Sequence, residues 1–193
     1  MDVNKRPDWD QYFLNLLQPL GSRVTCNRGK CAAIFVRDNR ILVTGYAGAP
    51  PGLPHCIDND DQLEESYRFL TKYDAKLDDL STITVEGLTY EWNELSKRYE
   101  TKKKISCVRT CHSEENCIIT ASHHGISLEN STLYVSMTPC SKCCKLIIGA
   151  GAKKVICLKK YHSGQESEYM FKLAGIELIH IEDTVQLYGK DFV

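Results

Sequence analysis

The stretch Thr132-Leu133-Tyr134-Val135-Ser136-Met137-Thr138-Pro139-Cys140-Ser141-Lys142-Cys143-Cys144-Lys145-Leu146-Ile147-Ile148-Gly149 reads as a strand, a turn and a helix. Thr132 to Met137 is rich in β-formers, and Ser141 to Ile148 carries helical spacing that stops at Gly149. The same rhythm continues on both sides. Glu114 to His124 predicts a helix ending at Gly125. Lys154 to Leu158 predicts a strand, Glu166 to Ala174 a helix capped by Gly175, and Glu177 to Ile181 a last strand. Alternating strands and helices imply parallel strands joined by right-handed crossovers.

Working back towards the N-terminus, Lys30 to Val36 and Ile41 to Thr44 are short β-rich runs. The turn residues Arg37-Asp38-Asn39-Arg40 separate them, so this is a β-hairpin. Asp8 to Leu20 predicts a first helix. Asp8 stands at the N-cap, and Tyr12, Phe13, Leu16, Leu17 and Leu20 recur near helical spacing. The elements together predict an α/β fold, a three-layer α/β/α sandwich with a five-stranded mixed sheet. Gly45 to Pro54 holds three Gly and three Pro and reads as an ordered loop, either a ligand wall or a connector. Residues 59–106 differ in composition. They are charge-rich, with helix-like stretches at Asp61–Leu80 and Thr89–Lys103. They predict a helical insertion within a single domain spanning 1–193. Its charges read as solvated faces or as a lid or oligomer contact.

Composition limits the function classes. The chain has 193 residues, is 42% hydrophobic and carries a net charge of −1. No apolar run approaches the roughly 20 residues that span a bilayer. The first eight residues lack an apolar core, so a cytoplasmic protein without a signal peptide is expected. Near-neutral charge argues against a nucleic-acid partner, which normally requires a basic surplus. Ten cysteines are many for a chain expected in a reducing compartment. Metal ligation, catalysis or burial as thiols must account for them. Cys31, Cys117 and Cys157 lie within apolar patterns and read as core. His123, His124, His162 and His180 show no ligand spacing.

Chemistry concentrates in two segments. His112-Ser113-Glu114 opens one helix, and Pro139-Cys140-Ser141-Lys142-Cys143 opens another. Two cysteines at i and i+3 in an opening turn point the same way, where exposed N–H groups favour thiolates. His112, Cys140 and Cys143 make a three-ligand set that leaves one tetrahedral position for water, the mark of a catalytic zinc. Glu114 stands two residues from His112, placed for general acid/base work without ligating the metal. Cys144 is turned about 100° from Cys143 and reads as a packing thiol.

With these residues quoted, the chain resembles the deoxycytidylate (dCMP) deaminases of the zinc-dependent cytidine deaminase superfamily, whose signature is H-x-E followed by P-C-x-x-C. The resemblance covers nearly everything except the insertion. It runs through Arg6–Phe13, Ser22–Arg28, Gly45–Pro50, Gly52–Cys56, Cys107–Asn116 and Thr138–Cys143. It implies a cytidine deaminase-like sheet and hydrolysis of dCMP to dUMP and ammonia, with zinc supplying an activated water near neutral pH. By the same resemblance, Glu114 shuttles protons between water, ring N3 and the leaving amino group. Asn116, Thr138 and Pro139 are implied to hold the base. Tyr161 looks like the phosphate-side tyrosine, and Arg23, Arg28 and Lys30 are candidate phosphate cations or plain surface residues. Homo-oligomers are implied, as are dCTP and dTTP effectors with Mg2+. Some members hold a second, structural zinc. The preferred set here is Cys26, His55, Cys56 and Cys107, with Cys31 or Cys111 as substitutes and buried thiols as the alternative.

Three positions depart from the family pattern. Ala47 stands where most members carry an Asn that hydrogen-bonds the sugar. Ser113 replaces the usual Ala, and the insertion is longer than the usual linker. Ala47 opens two further readings: a deaminase of a different nucleotide, or a catalytically weak nucleotide-binding relative.

Overall fold

The structure is a computed structural model. It describes residues 6–26, 29–58, 63–66, 82–85, 88–94, 98–101, 104–107 and 109–186. In chain order the elements are α1 (Trp9–Gly21), β1 (Ala32–Arg37), β2 (Arg40–Tyr46), β3 (Leu63–Ser66), β4 (Thr82–Val85), β5 (Leu88–Asn93), β6 (Arg98–Thr101) and β7 (Lys104–Cys107). They continue with α2 (Ser113–His123), β8 (Thr132–Met137), α3 (Ser141–Gly149), β9 (Lys154–Tyr161), α4 (Gln165–Leu173), β10 (Glu177–His180) and β11 (Val185–Gln186).

The chain divides into two compact units, residues 1–60 with 109–193, and residues 61–108. In the larger unit the main sheet has the order β10-β9-β8-β1-β2, and the short β11 also pairs with β9. Strands β8, β9 and β10 are parallel, while β1 is antiparallel to both β2 and β8. This is the expected five-stranded mixed sheet, lengthened by a two-residue strand. The hairpin turns on Asp38 and Asn39, both with positive φ (52° and 56°), as a two-residue loop matched to strand twist requires.

Alternation along the strands explains the three layers. Ala33, Phe35, Leu133, Val135, Val155 and Cys157 face Cys117 and Ala121 of α2, Cys143, Cys144 and Ile147 of α3, and Phe171 of α4. Ala32, Ile34, Val36, Tyr134 and Ile156 face Phe13, Leu14 and Leu17 of α1. Both faces are covered, so the central strands read as continuous apolar runs. Each fully buried large apolar side chain contributes about 1.5–3 kcal/mol. Cys117 and Cys157 are core residues as expected, whereas Cys31 is only half-buried and precedes β1.

One polar contact ties α1 to the sheet. The Tyr134 hydroxyl donates to Asp10 Oδ1 at 2.6 Å. Burial, and then the Asp10 carboxylate, push this phenol well above its ordinary pKa, so it remains a donor at physiological pH. Tyr134→Phe is expected to lower stability by about 1–2 kcal/mol. Urea unfolding should show this as a lower midpoint at unchanged slope.

The smaller unit corrects the helical insertion. Its described residues form a β4-β5-β6 antiparallel sheet and a β3-β7 pair. The expected helix at Thr89–Lys103 is therefore two strands, β5 and β6. Tyr99 is fully buried against Trp92, with ring centroids 5.1 Å apart. Most of the other expected helix, Asp61–Leu80, lies outside the described residues.

Candidate active site

Topology brings the chemistry to one edge of the sheet. Because β1 is antiparallel to β2 and β8, those two strands run the same way and end at the same edge as β9 and β10. Beyond β2, Gly48 bridges Cys111: the Gly48 N–H donates to Cys111 O at 3.2 Å and the Cys111 N–H to Gly48 O at 3.0 Å. His112 is thereby delivered to that edge as the N-cap of α2. Cys140 is the N-cap of α3, just beyond β8. In α/β sheets ligands bind outside these carboxyl ends.

His112 Nδ1 lies 3.5 Å from Cys140 Sγ and 3.4 Å from Cys143 Sγ. The three ligand atoms are all within 4.8 Å of one another, and no other such group of three or more occurs among the described residues. Zinc bonds of about 2.0–2.1 Å to nitrogen and about 2.3 Å to sulfur, at a tetrahedral angle, require an N···S separation of about 3.6 Å. The residues fit this metal. The hydrogen bond from Cys143, with His112 beside it, holds the Cys140 thiol down at about 3. That same bond pushes Cys143 far up, and the bond to Cys140 pushes His112 up to about 9. A cation taking these three atoms displaces the protons they share.

Glu114 opens α2 beside this trio and is buried. Burial raises its pKa, opposed chiefly by the nearby His112. The Ser113 hydroxyl donates to Glu114 Oε2 at 2.8 Å, and Ser113 is itself fully buried. The neighbouring Glu115 accepts the His112 N–H at 2.6 Å, fixing the start of the helix. Glu115 is thus engaged at the helix start, and Glu114 stands beside the trio without that contact.

Asn116 lies on α2 and is half-buried. Its Nδ2 donates to Tyr46 O at 2.8 Å, clamping the loop after β2 to α2. Ala47 is buried there. Its N–H donates to Cys31 O at 2.9 Å, and its carbonyl accepts from the Thr25 N–H at 3.2 Å. Thr138 and Pro139 are buried on the approach to Cys140. Tyr161 ends β9, and its N–H donates to Thr138 Oγ1 at 3.2 Å. Arg23 and Lys30 are exposed, and Arg28 lies outside the described residues. Cys26, His55 and Cys56 form no group that meets the metal-ligand geometry, and the side chain of Cys107 lies outside the described residues.

Residues 7–159 match the profile of the cytidine and deoxycytidylate deaminase zinc-binding region. The chain belongs to that family. It is 29% identical over 178 residues to ComE operon protein 2 of Bacillus subtilis, covering 92% of this chain and 74% of that protein. It is 30% identical over 151 residues to the deoxycytidylate deaminase of Mycobacterium phage D29, covering 78% and 94% respectively. The dCMP deaminase of cyanophage S-TIM5 shares the fold. Its apo structure superposes with a TM-score of 0.60 at 18% identity, over 92% of this chain and 100% of that one. The family's His/Cys/Cys zinc set is present here as His112, Cys140 and Cys143.

Three functional positions carried no reading of this kind in the sequence. Gly45 is one: a Cβ there would lie 2.4 Å from Ser113 O, so only glycine lets β2 approach α2 this closely. Ser113 is the second, visible in sequence only as a replacement for Ala. The third is His180, which reaches Thr138 from β10 at 2.9 Å.

Proposed function

We propose that this protein hydrolyses dCMP to dUMP and ammonia. The observation that carries the reading is the His112, Cys140 and Cys143 trio at zinc spacing, with the buried Glu114 carboxylate on the same helix start. The deoxycytidylate deaminases among its relatives support dCMP as the substrate. Zinc at the trio would supply an activated water near neutral pH. Glu114 accepts a proton from the attacking water and passes it to ring N3 as oxygen adds at C4. It then takes the proton of the new C4 hydroxyl and delivers it to the amino group, so that the C4–N bond breaks, ammonia leaves and the C4 carbonyl forms. The Ser113 hydroxyl holds one carboxylate oxygen, leaving the other for transfer. Thr138 and Pro139 line the base, and Tyr161 with Arg23, Arg28 and Lys30 takes the phosphate.

Ala47 favours a second reading, in which a different nucleotide is the substrate or turnover is weak. Its methyl offers no hydrogen bond to a sugar hydroxyl. The Thr25 hydroxyl beside it is buried, with no hydrogen-bond partner among the described residues. A structural zinc held by Cys26, His55, Cys56 and Cys107 belongs to the same proposal, supported by the buried His55 Nδ1, which has no hydrogen-bond partner among the described residues. So do a homo-oligomer, effector control by dCTP and dTTP with Mg2+, a cytoplasmic setting, and 59–106 as an insertion within one domain.

Ammonia release decides between the readings. Zinc-loaded protein is presented with dCMP, dCTP, CMP, deoxycytidine and a purine nucleotide. Turnover of dCMP above the others is expected. Ala47→Asn is expected to raise kcat/KM for dCMP by about tenfold, one regained hydrogen bond in the transition state. Preference for another nucleotide, unchanged by Ala47→Asn, would overturn the dCMP assignment.

A further inference from the structure

Thr138 lies between β8 and α3 and joins three elements. Its N–H donates to Lys159 O at 3.1 Å, extending the pairing of β8 with β9. Its hydroxyl oxygen accepts the Tyr161 N–H at 3.2 Å and lies 2.9 Å from His180 Nε2. Its side chain also packs on Gly164, where a Cβ would meet Thr138 Cγ2 at 3.1 Å. Thr138 is 1% exposed, so solvent cannot replace these contacts. Cys140 follows two residues later.

A hydroxyl has one proton and two lone pairs. The Tyr161 N–H occupies one lone pair. The arrangement that satisfies every group directs the hydroxyl proton at His180 Nε2 and puts the imidazole proton on Nδ1. Burial holds His180 below its ordinary pKa, which suits an acceptor at neutral pH. Glu168 on α4 opposes this shift, but its carboxylate stands 3.9 Å from Nε2, beyond hydrogen-bond reach. Lys160 on β9 and Asp183 beyond β10 act at longer range, with opposite signs. His180 also lies outside the stretch that matches the family profile.

We propose that His180 is a positioning residue: by holding the Thr138 hydroxyl it fixes the Pro139–Cys140 metal-side turn and the Tyr161 end of β9 in one relation. The contact joins residues 42 positions apart and links the end of β8 to β10 across β9. Where activity is concerned the inference rests on the deaminase reading; its effect on metal retention does not.

The test uses the full-length zinc-loaded protein and four variants: His180→Phe, His180→Gln, Thr138→Val, and the double variant of His180→Phe with Thr138→Val. Gln can place a hydrogen-bonding atom near the His Nε2 position, while Phe fills the space without one. Four quantities are measured: kcat and KM for dCMP, the rate of zinc release to a chromogenic chelator, and the thermal midpoint. His180→Phe is expected to lower kcat about tenfold while KM stays within about threefold. It should also speed zinc release about tenfold, as losing an outer-shell partner does. His180→Gln should restore both to within about threefold of wild type. The double variant should be no worse than the worse single one, because both remove the same bond.

Losses that multiply in the double variant would overturn the proposal. So would a Gln variant as impaired as Phe, or a fall in the thermal midpoint with kcat and zinc release unchanged. If His180→Phe does not fold, Thr138→Val must alone reproduce the kcat loss and faster release, and its failure to do so rejects the idea. If the wild type does not turn over dCMP, the substrate reading fails by itself. The zinc-release comparison still decides the role of His180.

Discussion

Glu114→Gln is expected to reduce dCMP turnover by roughly 10³-fold, within the range for losing a positioned proton carrier. That corresponds to about 4 kcal/mol of transition-state stabilisation. The substitution is nearly isosteric, and the amide oxygen can still accept the Ser113 hydroxyl that now meets Oε2 at 2.8 Å. Folding should therefore change little. The proposed metal ligands are His112, Cys140 and Cys143, so zinc content should stay at its wild-type value. Nucleotide affinity should also hold, because the amide keeps the shape of the site and removes only the ability to carry a proton. The informative result is the combination: full zinc, unchanged dissociation constant, turnover gone. Ammonia release, metal analysis and equilibrium titration with dCMP measure the three. A variant that keeps more than a tenth of wild-type turnover would remove Glu114 from the chemistry. A wild type as slow as the variant, with both binding nucleotide well, would favour the binding-protein reading raised by Ala47.

The parts legible in the sequence were those in which local pattern and final environment agree. From Thr132 to His180 each strand is a β-rich run, and each helix stops at or near a small residue such as Gly149 or Ala174. The parallel pairing of β8, β9 and β10 follows from that alternation. The metal trio was legible because each segment sits at a helix N-cap, where short motif spacing is enough to specify geometry. The insertion was misread because two signals competed. Glu91, Glu94, Lys97 and Glu100 suit a helix, but Tyr90, Trp92 and Tyr99 suit a strand, and the packing of buried Tyr99 against Trp92 prevailed. His180 and Asn116 show a different limit. Their partners are Thr138 and the Tyr46 carbonyl, 42 and 70 residues away. No spacing rule reaches that far, so an unremarkable strand histidine and a helix asparagine gain meaning only once the sheet edge is assembled.

Gly45 gives the same limit its largest structural consequence. It lies in β2, where a glycine would ordinarily weaken a strand by offering nothing to pack. Here the missing side chain is what permits the active site. An added Cβ would stand 2.4 Å from Ser113 O, 2.8 Å from Cys117 N and 2.8 Å from Cys117 Sγ. Two of these three atoms are helix backbone, which cannot rotate aside. Relief requires α2 to withdraw from β2 by about 1 Å, the shortfall from an ordinary van der Waals contact. Such a shift would carry His112 and Glu114 with it and break the Asn116 clamp on the Tyr46 carbonyl. Gly45→Ala is therefore expected to cost about 2–4 kcal/mol of stability, more than typical overpacking because the clash is with backbone. Misplacing Glu114 by about 1 Å should lower kcat by up to about 10²-fold even in folded molecules. Urea unfolding, zinc stoichiometry and kcat measured well below the midpoint separate the two effects. Gly149→Ala is the control. That glycine ends α3 with nothing within 4 Å of an added Cβ, so alanine should be neutral or slightly stabilising. If Gly45→Ala matched this control in stability, zinc and turnover, β2 and the start of α2 would not be in the close approach on which the site geometry depends.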